Sequence, residues 1–403
     1  MKILSLFFFF STLAGATVQE LSLDEKAGQI LMVHFHGSAA NEQSRILIHE
    51  LHVGGIIYYN WANGLTSFEQ VQKLSSSLQD QALQNRIPIP LLIACDQEGG
   101  RVQRLKLGFT IFPGNQALGL TQKPDLAERA ACAMGKEMMA AGVNMNLAPV
   151  VDINSNPKNP VIGTRSYGET PETVITFAER ALAGFHKAHL ITTLKHFPGH
   201  GDVAVDSHTD LPVISKSKEE LQKIELRPFK ELAKSTDAIM TAHLMVPALD
   251  PINCATLSPK VIGILREEIV FKGVIITDSL VMEGLLKNCT SIDEAAIRSI
   301  EAGCDIILLG GKQLVGANKN LELTLDDVKR IHAAIVQAVK SNRISEDRLN
   351  QSVKRVLDLK SRFIVQRTPA PAQNRLQSRK DALRSHEDFH SSASLPLQNI
   401  IQT

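Results

Sequence analysis

The sequence predicts an α/β protein: a (β/α)8 barrel of the TIM type, forming a single catalytic domain with a short C-terminal tail. Three observations lead there. Eight short apolar runs alternate with longer amphipathic stretches, as expected when parallel strands are buried on both faces and joined by crossover helices. Several runs end in a polar or charged residue, which suits the C-terminal edge of a barrel, where active sites lie. A length of 403 residues fits one large barrel with decorations.

Taken in order, the chain opens with Lys2, the apolar run Ile3 to Leu13 and then Ala14-Gly15-Ala16. This reads as a secretory signal peptide over residues 1–16, so an exported, periplasmic or extracellular protein is expected. The run is shorter than the roughly 20 apolar residues a membrane span needs, and no stable membrane insertion is expected after cleavage. The barrel is assigned to residues 17–366. Its strands are expected within Gln29 to His36, Gly55 to Trp61, Pro90 to Asp96, Asn144 to Asp152, Thr192 to His196, Ala238 to Val246, Gly273 to Asp278 and Asp305 to Gly310. Pro171 to Ala188 and Ser217 to Ala233 carry apolar residues at helical spacing, and each predicts one barrel helix. Leu325 to Val339 and a helix capped by Ser345 close the fold. From Arg367 the composition turns to Pro, Gln, Ser and charge, which predicts a linker or disordered tail over residues 367–403.

Forty-three Lys and Arg against 42 Asp and Glu leave a formal charge of +1, which removes the basic footprint of a nucleic-acid binder. The five cysteines lack CxxC spacing, so neither a zinc ribbon nor a disulfide framework is expected. A monomer is expected, with no cofactor and no metal.

Three segments carry the chemistry. The densest is KHFPGHGDVAVDSHTDLP, Lys195 to Pro212. Gly199 and Gly201 there allow unusual backbone angles and close approach of the chain to a ligand. Asp206-Ser207-His208 sets a carboxylate two residues from an imidazole, a pair able to shuttle a proton near neutral pH. The second, GVIITDSLVMEG, delivers Asp278 from an apolar strand into a turn; the residue serves either chemistry or merely the cap of the next helix, with Ser279 as another possible cap. The third, DQEGGRVQR, sets Asp96 at a strand end with Arg104 nearby, a pattern that suits any acceptor-rich ligand.

Together these segments resemble glycoside hydrolase family 3, and specifically its β-N-acetylglucosaminidase branch. The resemblance runs from about Leu21 to Phe363. KHFPGHGD followed by DSH and LP is its most specific part, whereas DQEGGR and the Asp-bearing strand are looser family features. It implies a retaining exo-β-N-acetylglucosaminidase that removes terminal β-linked GlcNAc from peptidoglycan fragments or chito-oligosaccharides through a covalent intermediate. Asp278 then matches the nucleophile, His208 the general acid/base and Asp206 its dyad partner. Asp96, Arg104, Arg165 (in IGTRSYG), Lys195 and His196 match substrate-binding positions. Single-domain relatives are commonly cytoplasmic, which sits awkwardly with an export signal. Other relatives carry a second α/β domain, and the tail from Ser378 faintly resembles its opening, as a degenerate remnant would.

Two alternatives follow from the residues. A neutral His as acid/base would tolerate an anionic acceptor, so phosphorolysis of the same glycosides is a minor alternative. A metal-dependent barrel hydrolase is the other, since His34, His36, Lys195, His196, His243 and Asp278 all lie near strand ends; it lacks the expected Asp at the end of the last strand. The plainer reading makes His34 and His36 hydrogen-bonded rim residues and His243 a support. Trp61 and Tyr58 are candidates to stack on a sugar or to pack.

Overall fold

The structure, a computed structural model, describes residues 16–204, 211–286, 288–313 and 319–365. The expected signal peptide (save Ala16), the expected Asp206–His208 pair and the expected tail lie outside these residues.

All eight apolar runs contain a strand. These are β1 (Leu31–Val33), β2 (Gly55–Ile57), β3 (Leu92–Cys95), β4 (Met145–Asn146), β5 (Thr193–Phe197), β6 (Ala238–Thr241), β7 (Val274–Ile276) and β8 (Ile307–Leu308). Five pair in parallel in the order β8-β1-β2-β3-β4, and three in the order β5-β6-β7. The parallel bridges Met145↔Ile191 and Ile276↔Ile306 join the two sheets on either side and close the barrel. The ladders are shorter than the apolar runs because the backbone leaves its neighbours near the C-terminal ends, where the loops that carry side chains to the mouth begin.

The side chains alternate with period two, as strand geometry requires. Met32, Ile57, Leu92, Ala94, Met145, Ile191, Ala238, Met240, Val274, Ile276, Ile306 and Leu308 share one buried cluster, closed from the other end by Val356 and Leu359. This is the barrel interior. Leu31, Val33, Ile56, Ile93, Cys95, Leu194, Ile239, Ile275 and Ile307 belong to the outer cluster, with apolar residues of the helices. The same phase carried past each strand end aligns Tyr59 with Ile57, Asp96 and Glu98 with Ala94, and Asp278 with Ile276. His243, one residue off the phase of Ala238 and Met240, is fully buried instead.

Helices Pro171–Lys187, Leu325–Lys340 and Glu346–Lys360 fall where expected, and Ser345 caps the last by accepting a hydrogen bond from the Arg348 amide. The Ser217 to Ala233 segment, expected as one helix, is two: Lys218–Lys223 and Arg227–Leu232. Pro228 has no amide hydrogen to continue the first helix, but it is tolerated in the first turn of the second. An antiparallel pair of short strands, Gln97–Gly99 and Val102–Gln103, follows β3 directly. Its turn uses Gly99 at φ +90° and Gly100 at φ +56°, backbone conformations that favour glycine. Among the described residues no helix is long and apolar enough to cross a membrane. All five cysteines are free thiols.

Candidate active site

Lys195 lies within β5 on the interior phase, two residues after Thr193, and its side chain is 2% exposed. Its ammonium lies 2.8 Å from Asp96 Oδ1 and 2.7 Å from Glu98 Oε1. Arg104 Nη2 donates to the other Asp96 oxygen at 3.1 Å. Arg165 binds Glu98 with both arms of a fork, Nε to Oε2 at 2.9 Å and Nη2 to Oε1 at 2.8 Å. This planar two-point match is the strong form of a charge-assisted pair.

A second pair adjoins the first. Asp152 Oδ2 lies 2.6 Å from His196 Nδ1, while its Oδ1 accepts from the backbone amides of His196 at 3.1 Å and His200 at 2.7 Å. His196 Nε2 is 3.4 Å from Arg165 Nη2, which links the two groups. Three carboxylates, Asp96, Glu98 and Asp152, thus balance three cations, Lys195, Arg104 and Arg165.

Electrostatics keep these groups ionised. Burial alone would raise the carboxyl of Asp96, but Lys195 and Arg104 outweigh it and hold the group far below its ordinary range. Burial likewise opposes ionisation of Glu98, yet Arg165 and Lys195 bring it down to about 2. For Asp152 burial is overcome by His196, His200 and their amides. Burial also lowers His200, to about 4, leaving a neutral imidazole.

The glycines of this loop behave as the sequence implies. Gly199 has φ +127°, and a side chain on Gly201 would meet the Ile153 carbonyl oxygen at 1.6 Å. Only glycine permits that approach.

Asp278 lies on the interior phase just past β7 and accepts from the Ser279 amide at 2.7 Å. The following helix begins at Glu283, so Asp278 is not its cap. Burial pushes the Tyr59 hydroxyl well above its ordinary range, with Asp96 and Asp278 both adding to the rise and Arg104 opposing it. His243 supports this edge: its Nε2 is 2.9 Å from the Ser279 carbonyl and its Nδ1 2.9 Å from Thr256 Oγ1.

Asp96, Arg104, Arg165, Lys195 and His196 thus form one network, and Asp278 lies just past β7 on the same interior phase. Glu98 and Tyr59 were not among the expected site residues. The signal for Glu98 was its spacing of two from Asp96 in extended chain. Tyr58, the neighbouring candidate, points the other way and is core, its hydroxyl 3.1 Å from Ser75 Oγ. Trp61 is stacked on Tyr59 at 5.3 Å and has the Lys312 ammonium over its ring at 4.9 Å, so its contacts are with protein. Of the donors a binuclear metal centre would need, Lys195 is bound to Asp96 and Glu98, His196 to Asp152, and His243 to Thr256 and Ser279.

A closed parallel barrel whose C-terminal mouth gathers ionised carboxylates, arginines and a lysine defines a barrel hydrolase suited to a polyhydroxylated substrate. The family described as "Glycosyl hydrolase family 3 N terminal domain" matches residues 22–359. Among its relatives, Beta-hexosaminidase A of Pseudoalteromonas piscicida is 36% identical over 79% of this chain, which spans 54% of that protein. The Beta-hexosaminidase of Idiomarina loihiensis is 31% identical over 80% of this chain and 96% of its own length. Among solved structures, a glycoside hydrolase family 3 beta-N-acetylglucosaminidase from Paenibacillus sp. superposes with a TM-score of 0.81 and 42% identity, covering 91% of this chain and 69% of its own. This chain belongs to glycosyl hydrolase family 3. It is a glycoside hydrolase of the β-hexosaminidase kind, with a carbohydrate as its partner.

Proposed function

We propose that the chain is an exported, monomeric exo-β-N-acetylglucosaminidase that removes terminal β-linked GlcNAc from peptidoglycan fragments or chito-oligosaccharides with retention of configuration. The observation that carries this reading is the network of Asp96, Glu98, Lys195, Arg104 and Arg165 at the barrel mouth, with Asp278 placed just past β7 on the same interior phase. A sugar ring held by the network then presents its anomeric carbon to Asp278.

In this reading Asp96, Arg104, Arg165, Lys195 and His196 hold the hydroxyls and the N-acetyl group. Asp96 accepts from hydroxyls because Lys195 and Arg104 keep it ionised, and the balanced charge suits a neutral sugar. Asp278 attacks the anomeric carbon as the glycosidic bond breaks, and the leaving oxygen takes its proton from His208, oriented by Asp206. His208, now neutral, removes a proton from water, which attacks the same carbon and releases Asp278. A histidine in this role leaves no negative charge beside the departing group.

The test is to incubate chitobiose and peptidoglycan fragments in parallel with the enzyme and with its Asp278→Ala and His208→Ala variants. Release of single GlcNAc units from non-reducing ends is expected for the wild type. Asp278→Ala should lose turnover on every substrate, whereas His208→Ala should retain more on activated aryl glycosides, which need little protonation. Equal losses on both kinds of substrate would remove His208 from the acid/base role. Failure of the wild type to release a chromogenic leaving group from a β-N-acetylglucosaminide would remove the activity itself.

A further inference from the structure

Outside the network just described, the described residues contain one group of three or more His, Cys, Asp or Glu donors close enough to share an ion: His34, His36 and Glu322, whose ligand atoms all lie within 4.8 Å of one another. His34 and His36 follow β1 on the interior phase, two residues apart. Glu322 comes from the loop after β8, where an antiparallel bridge between Lys312 and Glu322 fixes its backbone.

We propose that His34, His36 and Glu322 form a binding site for a single divalent transition cation of the zinc class, which ties the loop after β8 to the end of β1. The donor set is two imidazole nitrogens and one carboxylate, with a fourth position left to water, a combination that zinc accepts in tetrahedral geometry. Bonds of about 2.0–2.1 Å around such an ion separate neighbouring ligand atoms by roughly 3.3–3.5 Å. The Glu322 carboxylate is 3.0 Å from His36 Nε2 and 3.6 Å from His34 Nε2, which brackets that separation.

The ligands are held before any ion arrives. The His36 carbonyl accepts from Asn41 Nδ2 at 2.6 Å, and its amide donates to Gln43 Oε1 at 3.1 Å. The Trp61 ring backs both imidazoles, with centroids 5.0 Å from His34 and 5.5 Å from His36. The His34 side chain is 3% exposed while that of His36 is 51% exposed, so the site is anchored in the fold yet open to solvent on one side. Its donors are distinct from the proposed sugar-binding set: the Tyr59 ring meets His34 on one side, 6.0 Å between centroids, and the Arg104 guanidinium on the other at 5.8 Å.

The test uses the full chain, stripped of metal with a chelator, titrated with Zn²⁺ by calorimetry and with Co²⁺ by visible absorption. One saturable site per chain is expected, with the intense d–d bands of four-coordinate cobalt. His36→Ala and Glu322→Gln, both at partly exposed side chains, should each raise the Zn²⁺ dissociation constant at least tenfold, while His208→Ala leaves it within twofold. No saturable site, or wild-type affinity in both ligand variants, would overturn the proposal and leave the three residues as a histidine–carboxylate ion pair only. Loss of the site in His208→Ala would overturn it too, because the ion would then belong to the acid/base loop. None of these readouts requires turnover, so the proposal and the glycosidase reading fail separately.

Discussion

Asp152 holds His196 at two points, with one carboxylate oxygen 2.6 Å from ring Nδ1 and the other 3.1 Å from the backbone amide. The double grip fixes which ring nitrogen is left to face Arg165 and the cavity. It also couples the loop of β4 to the end of β5, so a fully buried acid positions a histidine that the proposed function assigns to substrate binding.

Asp152→Asn should therefore lower kcat/KM on a chromogenic β-N-acetylglucosaminide by about 10- to 100-fold, since a hydrogen bond to a charged group is worth roughly 1.5–3 kcal/mol. Most of the loss should appear in KM, because His196 is assigned to binding. Steady-state kinetics with a circular dichroism control measure this, and wild-type kinetics in a folded variant would show that the grip is not used.

Lys195 neutralises two carboxylates that the fold has already taken out of water. Removing one partner of a buried ion pair costs about 3–5 kcal/mol, because the charge left behind is uncompensated. Lys195→Met should lose stability on that scale in urea unfolding. Adding Glu98→Gln should recover part of the loss, since the double variant buries one fewer unpaired charge. Additive losses would mean that Lys195 and Glu98 are not coupled.

Glu98 links acid stability to the same network. Its folded-state value is depressed from the ordinary 4.5 to about 2, so its contribution is complete above pH 4.5 and is lost as the pH falls toward 2. The shift corresponds to stabilisation on the order of 3 kcal/mol. Between pH 4.5 and 2 the wild type should lose stability more steeply than Glu98→Gln, as measured by urea midpoints across that range. Parallel curves would contradict this.

Lys360 is 2% exposed and donates to Gln29 Oε1 at 2.8 Å; burial lowers its ammonium from 10.5 to about 7. Between these values the unfolded chain binds the extra proton, so Lys360 makes stability rise with pH from 7 to 10.5. The slope approaches about 1.4 kcal/mol per pH unit. Lys360→Met should be the more stable protein at pH 7 and should lose that rise relative to the wild type. Equal slopes would show that Lys360 keeps its ordinary protonation in the folded protein.

Much of this architecture was legible because strand period and barrel topology are local rules. Each apolar run contained a strand, and of the polar residues ending them those on the interior phase came to the mouth, while His243, off that phase, is buried. Asp96, Lys195 and Asp278 were readable for the same reason, each being on phase with apolar neighbours. Glu98 was missed because it lies past the apolar run, in a hairpin after β3 that has no apolar alternation of its own. The break at Ile224 to Leu226 was hidden by an amphipathic pattern that continues across Pro228. The meeting of His34 and His36 with Glu322 joins the first strand to the last loop, a contact fixed by closure of the barrel rather than by any local pattern.

In the proposed reaction Asp278 forms a covalent bond to the sugar. A slowly hydrolysed fluorinated GlcNAc glycoside, followed by proteolysis and peptide mass spectrometry, measures this directly. One sugar adduct per chain is expected, located on Asp278 and absent from Asp278→Ala. An adduct on another carboxylate, or turnover to the inverted anomer without any adduct, would contradict the proposed reaction.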